Sequence, residues 1–99
     1  MNHIMINDNK VDFGFELTDE LIDGICTEKH WVDVEVTLGQ KTLEVSILSY
    51  ERLGYLLEHL KSMEKGWFFA ENLIILNSFS FAEIKKSLED FIATKSKML

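Results

Sequence analysis

The stretch Trp31-Val32-Asp33-Val34-Glu35-Val36-Thr37-Leu38-Gly39-Gln40-Lys41-Thr42-Leu43-Glu44-Val45-Ser46-Ile47-Leu48 decides the fold of this chain. Val32, Val34, Val36 and Leu38 alternate with Trp31, Asp33, Glu35 and Thr37, the period-2 pattern of a half-buried strand. Leu43, Val45 and Ile47 repeat that alternation with Thr42, Glu44 and Ser46. Between the runs, Gly39-Gln40 is a Gly-X pair suited to a type II′ hairpin turn. A two-residue turn pairs Leu38 with Lys41, and therefore Val36 with Leu43, Val34 with Val45 and Val32 with Ile47. The apolar pairs then share one face, and a slip of one residue would send one strand's side chains to the wrong side. The opposite face sets Thr37 against Thr42, Asp33 against Ser46 and Glu35 against Glu44. Like charges facing across strands are destabilising, within the ~0.2–1 kcal/mol range of cross-strand pairs. Such a face is either a solvated surface whose carboxylates splay apart or an acidic plate kept for a basic partner.

Downstream, Ser49 is placed to cap a helix running to about Lys65, with Leu53, Leu56, Leu57, Leu60 and Met63 as its apolar stripe and Gly66 at its left-handed terminus. Gly54 inside it costs about 1 kcal/mol relative to Ala, so it is expected to mark a close helix–sheet contact. A second helix is announced by the capping box of Ser80 and Glu83, with Phe79 and Ile84 at the staple positions. Phe81, Ile84, Leu88, Phe91 and Ile92 supply its buried face. Between the helices, the apolar run Leu73-Ile74-Ile75-Leu76 predicts a strand well inside the sheet. Trp67, Phe68 and Phe69 lead into it and read as core or rim packing.

Upstream, Val11, Phe13, Phe15 and Leu17 alternate like a strand, with His3 to Ile6 pairing to it through a turn at Asp8-Asn9. Thr18 is placed to cap a short helix over residues 19–25, which Asp23-Gly24 is expected to interrupt early. The order β(β)–(α)–β–β–α–β–α predicts an α+β fold: a mainly antiparallel sheet with two amphipathic helices packed on one face, in a single domain over residues 1–99.

The 99 residues carry 17 acids against 10 bases, a net charge of −7. Nine acids and two lysines fall in residues 1–38, so that segment holds the whole excess, while residues 39–99 hold eight of each sign. This charge, with Arg52 as the only arginine, argues against nucleic acid as a ligand and against an anionic membrane surface. No apolar run approaches the ~20 residues of a membrane span, and no basic leader precedes an apolar segment, so a cytoplasmic location is expected. Cys26 alone forms no internal disulfide and offers no metal-ligand spacing; near Asp23 and Glu28 it also lacks the cationic surroundings that activate a thiol.

Motifs for catalysis are missing: no Gly-rich phosphate loop, no nucleophile elbow, no H-E-x-x-H, and only the dispersed histidines His3, His30 and His59. The expectation is therefore a binding protein without catalytic residues, metal or cofactor. Electrostatics favours a cationic protein surface as partner, because a concentrated acidic patch steers association. Asp33, Glu35 and Glu44 form the first candidate cluster, with Trp31 on the same strand face as aromatic anchor. The alternative for Trp31 is an edge residue packing on Leu48. Asp19, Glu20 and Asp23 form a second cluster.

The order His30-Trp31-Val32-Asp33-Val34-Glu35-Val36-Thr37-Leu38-Gly39 resembles the hairpin of small immunity proteins of bacterial polymorphic-toxin systems, most of all the type eight immunity family. Gly66-Trp67-Phe68-Phe69, Asn72-Leu73-Ile74-Ile75-Leu76 and Phe81-Ala82-Glu83-Ile84 resemble that family's aromatic–strand–helix ending. The likeness covers about residues 30–93 and contains no catalytic signature. It implies a cytoplasmic protein that binds and neutralises the toxic domain of a contact-delivered toxin, often a nuclease with a basic, phosphate-binding active site. Two rival readings are a homodimeric adaptor, joined through a sheet edge or the leucine-rich helix, and a small ligand binder with a pocket near Trp67, Phe68 and Phe69.

Overall fold

In the computed structural model, which describes residues 1–62 and 72–98, five strands form one sheet in the order β1-β2-β3-β4-β5. The hairpin of β3 (Trp31–Leu38) and β4 (Lys41–Ser49) lies at its centre, in the register that the alternation predicts, from Trp31 opposite Leu48 to Leu38 opposite Lys41. Gly39 turns the chain at φ 63° while Gln40 stays at negative φ, the combination a type II′ turn requires. Val32, Val34, Val36, Val45 and Ile47 are all buried on what we term the core face.

β1 (His3–Ile6) and β2 (Asn9–Asp12) extend the antiparallel sheet, with Ile4 opposite Val11 and Val11 opposite Val36. Their turn is centred on Asn7-Asp8 rather than on Asp8-Asn9. Both residues take positive φ (50° and 65°), the type I′ geometry that matches strand twist and that Asn and Asp tolerate best. β2 also stops sooner than the alternation through Leu17 suggests. The Asp12 carboxylate accepts the N–H of Gly14 at 2.8 Å, and Gly14 sits at φ 75°, so the chain leaves the ladder there. Phe13, Phe15 and Leu17 still reach the core, and Phe13 meets the Phe15 and Phe81 rings at 6.0 Å.

Thr18 caps α1 (Asp19–Gly24) by accepting the N–H of Leu21 at 3.2 Å. The α-helix ends at Gly24, as Asp23-Gly24 suggests, but Gly24 stays right-handed at φ −61° and the chain continues into a wider π-type turn over Ile25–Lys29. The stop is His30, which is left-handed at φ 55° and donates its N–H to the carbonyl of Ile25 at 2.8 Å.

Beyond β4, Ser49 caps α2 (Tyr50–Ser62) by accepting the N–H of Arg52 at 2.9 Å; the expected end at Lys65 and Gly66 lies outside the described residues, as do Met63, Trp67, Phe68 and Phe69. β5 (Leu73–Leu76) then pairs with β4 in parallel, the one parallel pairing of the sheet. Among the described residues it is an edge strand rather than an interior one. Ile74 and Leu76 serve the core, but Leu73 and Ile75 remain 42% and 38% exposed, so only alternate residues of the apolar run are covered. A continuous apolar run does not by itself distinguish these positions, because a parallel edge strand needs the same β-branched and aliphatic residues.

α3 (Phe81–Met98) lays Ile84, Leu88 and Ile92 on the core face, each nearly inaccessible. Ser80 accepts the N–H of Glu83 as the N-cap, while the Glu83 carboxylate turns to Lys86 at 3.9 Å. The fold is thus the expected α+β class, with the two long helices placed differently. α3 carries the contiguous core, whereas the leucines of α2 do not join it, and Arg52 in its first turn lies over Trp31 on the opposite face. Leu48, fully buried on that second face, is likewise separate from the main core cluster.

Gly54 does not mark a close approach: it is exposed, and a Cβ built there meets nothing within 4 Å. Gly54→Ala is therefore expected to raise unfolding free energy by about 0.5–1 kcal/mol through helix propensity and unfolded-state entropy, read by urea denaturation at unchanged m-value.

Candidate functional site

The face opposite the core gathers the acids into a row. Strand pairing sets Asp12 beside Glu35 and Glu35 beside Glu44, across three neighbouring strands. Neighbouring strands lie about 4.8 Å apart, so the carboxylates are held side by side by the backbone. The Glu35–Glu44 pair falls at a non-hydrogen-bonded position of the ladder, where facing side chains come closest. With Asp33 and Ser46, these residues line a shallow concavity of about 370 Å³.

The four acids are not equivalent. Asp33 is committed to the structure: its Oδ1 accepts the Trp31 indole N–H at 3.0 Å and the Ser46 hydroxyl at 2.7 Å. Asp12 holds the Gly14 amide and lies 3.9 Å from the Lys10 ammonium. Glu35 and Glu44 are exposed, and among the described residues neither side chain has a hydrogen-bond or ionic partner. They are the charges left available to another molecule.

Trp31 stands at the end of this face, opposite Leu48 as the register requires. Its indole is held from one side by Asp33 and covered from the other by the Arg52 guanidinium, 5.4 Å from the ring centroid. Two acceptor and stacking contacts fix the ring plane, so little rotamer freedom remains to be lost on contact with a partner. Arg52 pairs with no carboxylate among the described residues, and with Lys29 it gives the acidic face a cationic border beside Trp31.

Of the sequence candidates, Trp31, Asp33, Glu35 and Glu44 share one face. Asp19, Glu20 and Asp23 are exposed on α1, and none of them lines the concavity. Asp12 escaped the sequence reading, because its place beside Glu35 depends on the long-range pairing of β2 with β3. His30 also escaped it. Its imidazole stacks on Phe79 at 5.6 Å, its Nδ1 lies 3.1 Å from the Ser49 hydroxyl, and its carbonyl accepts the Ser49 N–H. No local pattern signals that role, because Phe79 and Ser49 meet His30 only in the folded chain. Among the described residues no group of three or more His, Cys, Asp or Glu side chains is arranged to hold a metal ion. No helix among them is long and apolar enough to cross a membrane.

Comparison with protein-family models, with curated proteins and with solved structures finds no match to this chain.

Two outcomes follow from this geometry. Glu35→Lys converts the facing like charges into an opposite-charge pair and is expected to raise stability by about 0.2–1 kcal/mol in denaturant titration at low salt. At Cys26, burial first and the Asp23 carboxylate second push the thiol pKa up. Its alkylation at pH 8 should run slower than that of free cysteine. Because the folded-state pKa lies above the thiol's ordinary value of 9.0, this group's contribution to stability should be complete below that value and be lost as pH rises through the raised folded-state pKa.

Proposed function

We propose that the protein is an immunity protein that binds a basic toxin domain and blocks it, without catalysis of its own. The observation that carries this reading is the row Asp12–Glu35–Glu44, in which Glu35 and Glu44 are exposed and have no hydrogen-bond or ionic partner among the described residues although cross-strand repulsion costs stability. A sequence kept at such a cost on an otherwise well-satisfied sheet is consistent with an external cation, and Lys or Arg side chains of a partner supply it. Carboxylates on a rigid sheet share with phosphates the negative charge that a nuclease site is built to hold. Occupying that site, or standing beside it, would exclude substrate. Trp31, braced by Asp33 and Arg52, offers the aromatic anchor that interfaces favour. The resemblance of residues 30–93 to immunity proteins supports the same conclusion and the cytoplasmic location it implies. Asp19, Glu20 and Asp23 enter as a second acidic contact or as long-range steering charge.

The test is binding to, and neutralisation of, the toxin domain encoded by the adjacent reading frame. Glu35→Lys should weaken that binding about tenfold or more while the isolated protein becomes more stable, and added salt should narrow the difference. Equal affinity of the variant and the wild type across a salt series removes this face from the interface. Neutralising Asp19, Glu20 and Asp23 together is expected to slow association with little change in dissociation.

A further inference from the structure

We infer that the outer edge of β1 is a self-association surface, on which a second copy of this chain adds its own β1 antiparallel across a two-fold axis. The argument starts from the backbone. β1 is the first strand of the sheet order; the Leu17 N–H donates to the Met1 carbonyl at 2.7 Å just before the strand, and from His3 to Ile6 β1 has a ladder neighbour on one side only among the described residues. The amide of Phe13 donates to the carbonyl of Asn2 at 2.9 Å, which sets the phase of the β1–β2 ladder. By the alternation of an antiparallel pair, Asn2, Ile4 and Ile6 turn their backbone groups toward β2, and His3 and Met5 turn theirs outward. Those outward N–H and C=O groups form no backbone bond among the described residues.

Edge strands are ordinarily guarded by short length, Pro, Lys, an inward charge, a bulge or a covering element. β1 is short, at four residues, but its sequence His-Ile-Met-Ile carries no Pro, Lys or inward charge, and Met5 is 60% exposed. Beside it runs a groove of about 670 Å³ between the strand and the N-terminal half of α3, floored by Ile4, Ile6 and Phe81. The charges on its helical wall are Glu83, Lys85, Lys86 and Glu89, two of each sign. That wall carries no net charge, so a second copy meets little local like-charge repulsion there, although the chain as a whole stands at −7.

The two-fold arrangement uses these features reciprocally. Met5 of one copy pairs with His3 of the other, with Ile4 facing its own counterpart on the axis, and every outward N–H of the edge finds a carbonyl. The contact is isologous, the same strand edge serving both copies. The acidic row lies on β2, β3 and β4, so this contact leaves it accessible and does not depend on the proposed partner.

Sedimentation equilibrium of the purified full chain, from about 1 µM to about 1 mM, reads the association directly. The expected result is a mean mass that rises with concentration from 11.5 kDa toward twice that value. Met5→Lys places a charge on the edge, and Met5→Pro removes an outward N–H that β2 does not use. Both should weaken association about tenfold or more, with the circular dichroism spectrum and the thermal midpoint showing whether each variant remains folded. Leu73→Lys, on the opposite edge, should leave it unchanged. A wild-type chain that stays monomeric throughout, a dimer that survives in both folded Met5 variants, or one lost only in Leu73→Lys would each overturn the inference.

Discussion

The ladder between β3 and β4 is the constraint on which the other elements depend. Its eight residue pairs run without a bulge from Trp31–Leu48 to Leu38–Lys41. Because side chains alternate strictly, one register places the valines and Ile47 on the core face and the carboxylates on the other. α3 needs the first of these surfaces for Ile84, Leu88 and Ile92. The candidate interface is the second. The core cannot form in this arrangement without the acids being collected on the reverse side, so the packing and the charge pattern are two consequences of a single register.

The ends of that ladder organise the connections. At one end Gly39 supplies the positive φ that a tight hairpin needs. At the other, Ser49 is the buried polar residue of the described chain, and its hydroxyl accepts the Arg52 amide while standing within hydrogen-bond distance of His30. His30, held in a left-handed conformation that non-glycine residues seldom adopt, ends the upstream helical segment and stacks on Phe79 just before α3. One junction therefore ties together the chain entering β3, the start of α2 and the approach to α3. It also sets Arg52 where its guanidinium covers Trp31, so the cap and the brace of the candidate anchor share a backbone turn.

The two faces carry their energetic terms differently. On the core face burial is nearly complete, and each side chain is stabilised by roughly 1.5–3 kcal/mol relative to exposure. On the acidic face, away from the buried Leu48, the terms are small and partly opposed. Asp33 is satisfied by Trp31 and Ser46, whereas Glu35 and Glu44 repel each other in water. A sheet so strongly specified from one side tolerates an unfavourable pair on the other. Such a margin is what allows a binding surface to be kept where it does not help folding.

Short-range signals in the chain were sufficient for the β3–β4 register, the caps at Thr18, Ser49 and Ser80, and the buried stripe of α3, since each follows from residues a few positions apart. The candidate face was legible for the same reason at Asp33, Glu35 and Glu44, which the hairpin alone aligns. Asp12 required the pairing of β2 with β3, a contact across more than twenty intervening residues whose loop contains a helix. The edge position of β5, the separation of α2 from the main core and the junction at His30 are likewise decisions of tertiary structure. An apolar run or stripe states that a surface must be covered, but not by what. A left-handed histidine is stable only once Ser49 and Phe79 are in place around it. The sequence by itself determined which residues alternate and hence which charges share a strand face; only the folded sheet, by choosing strand neighbours, joined them into a row and left β1 with an unpaired edge.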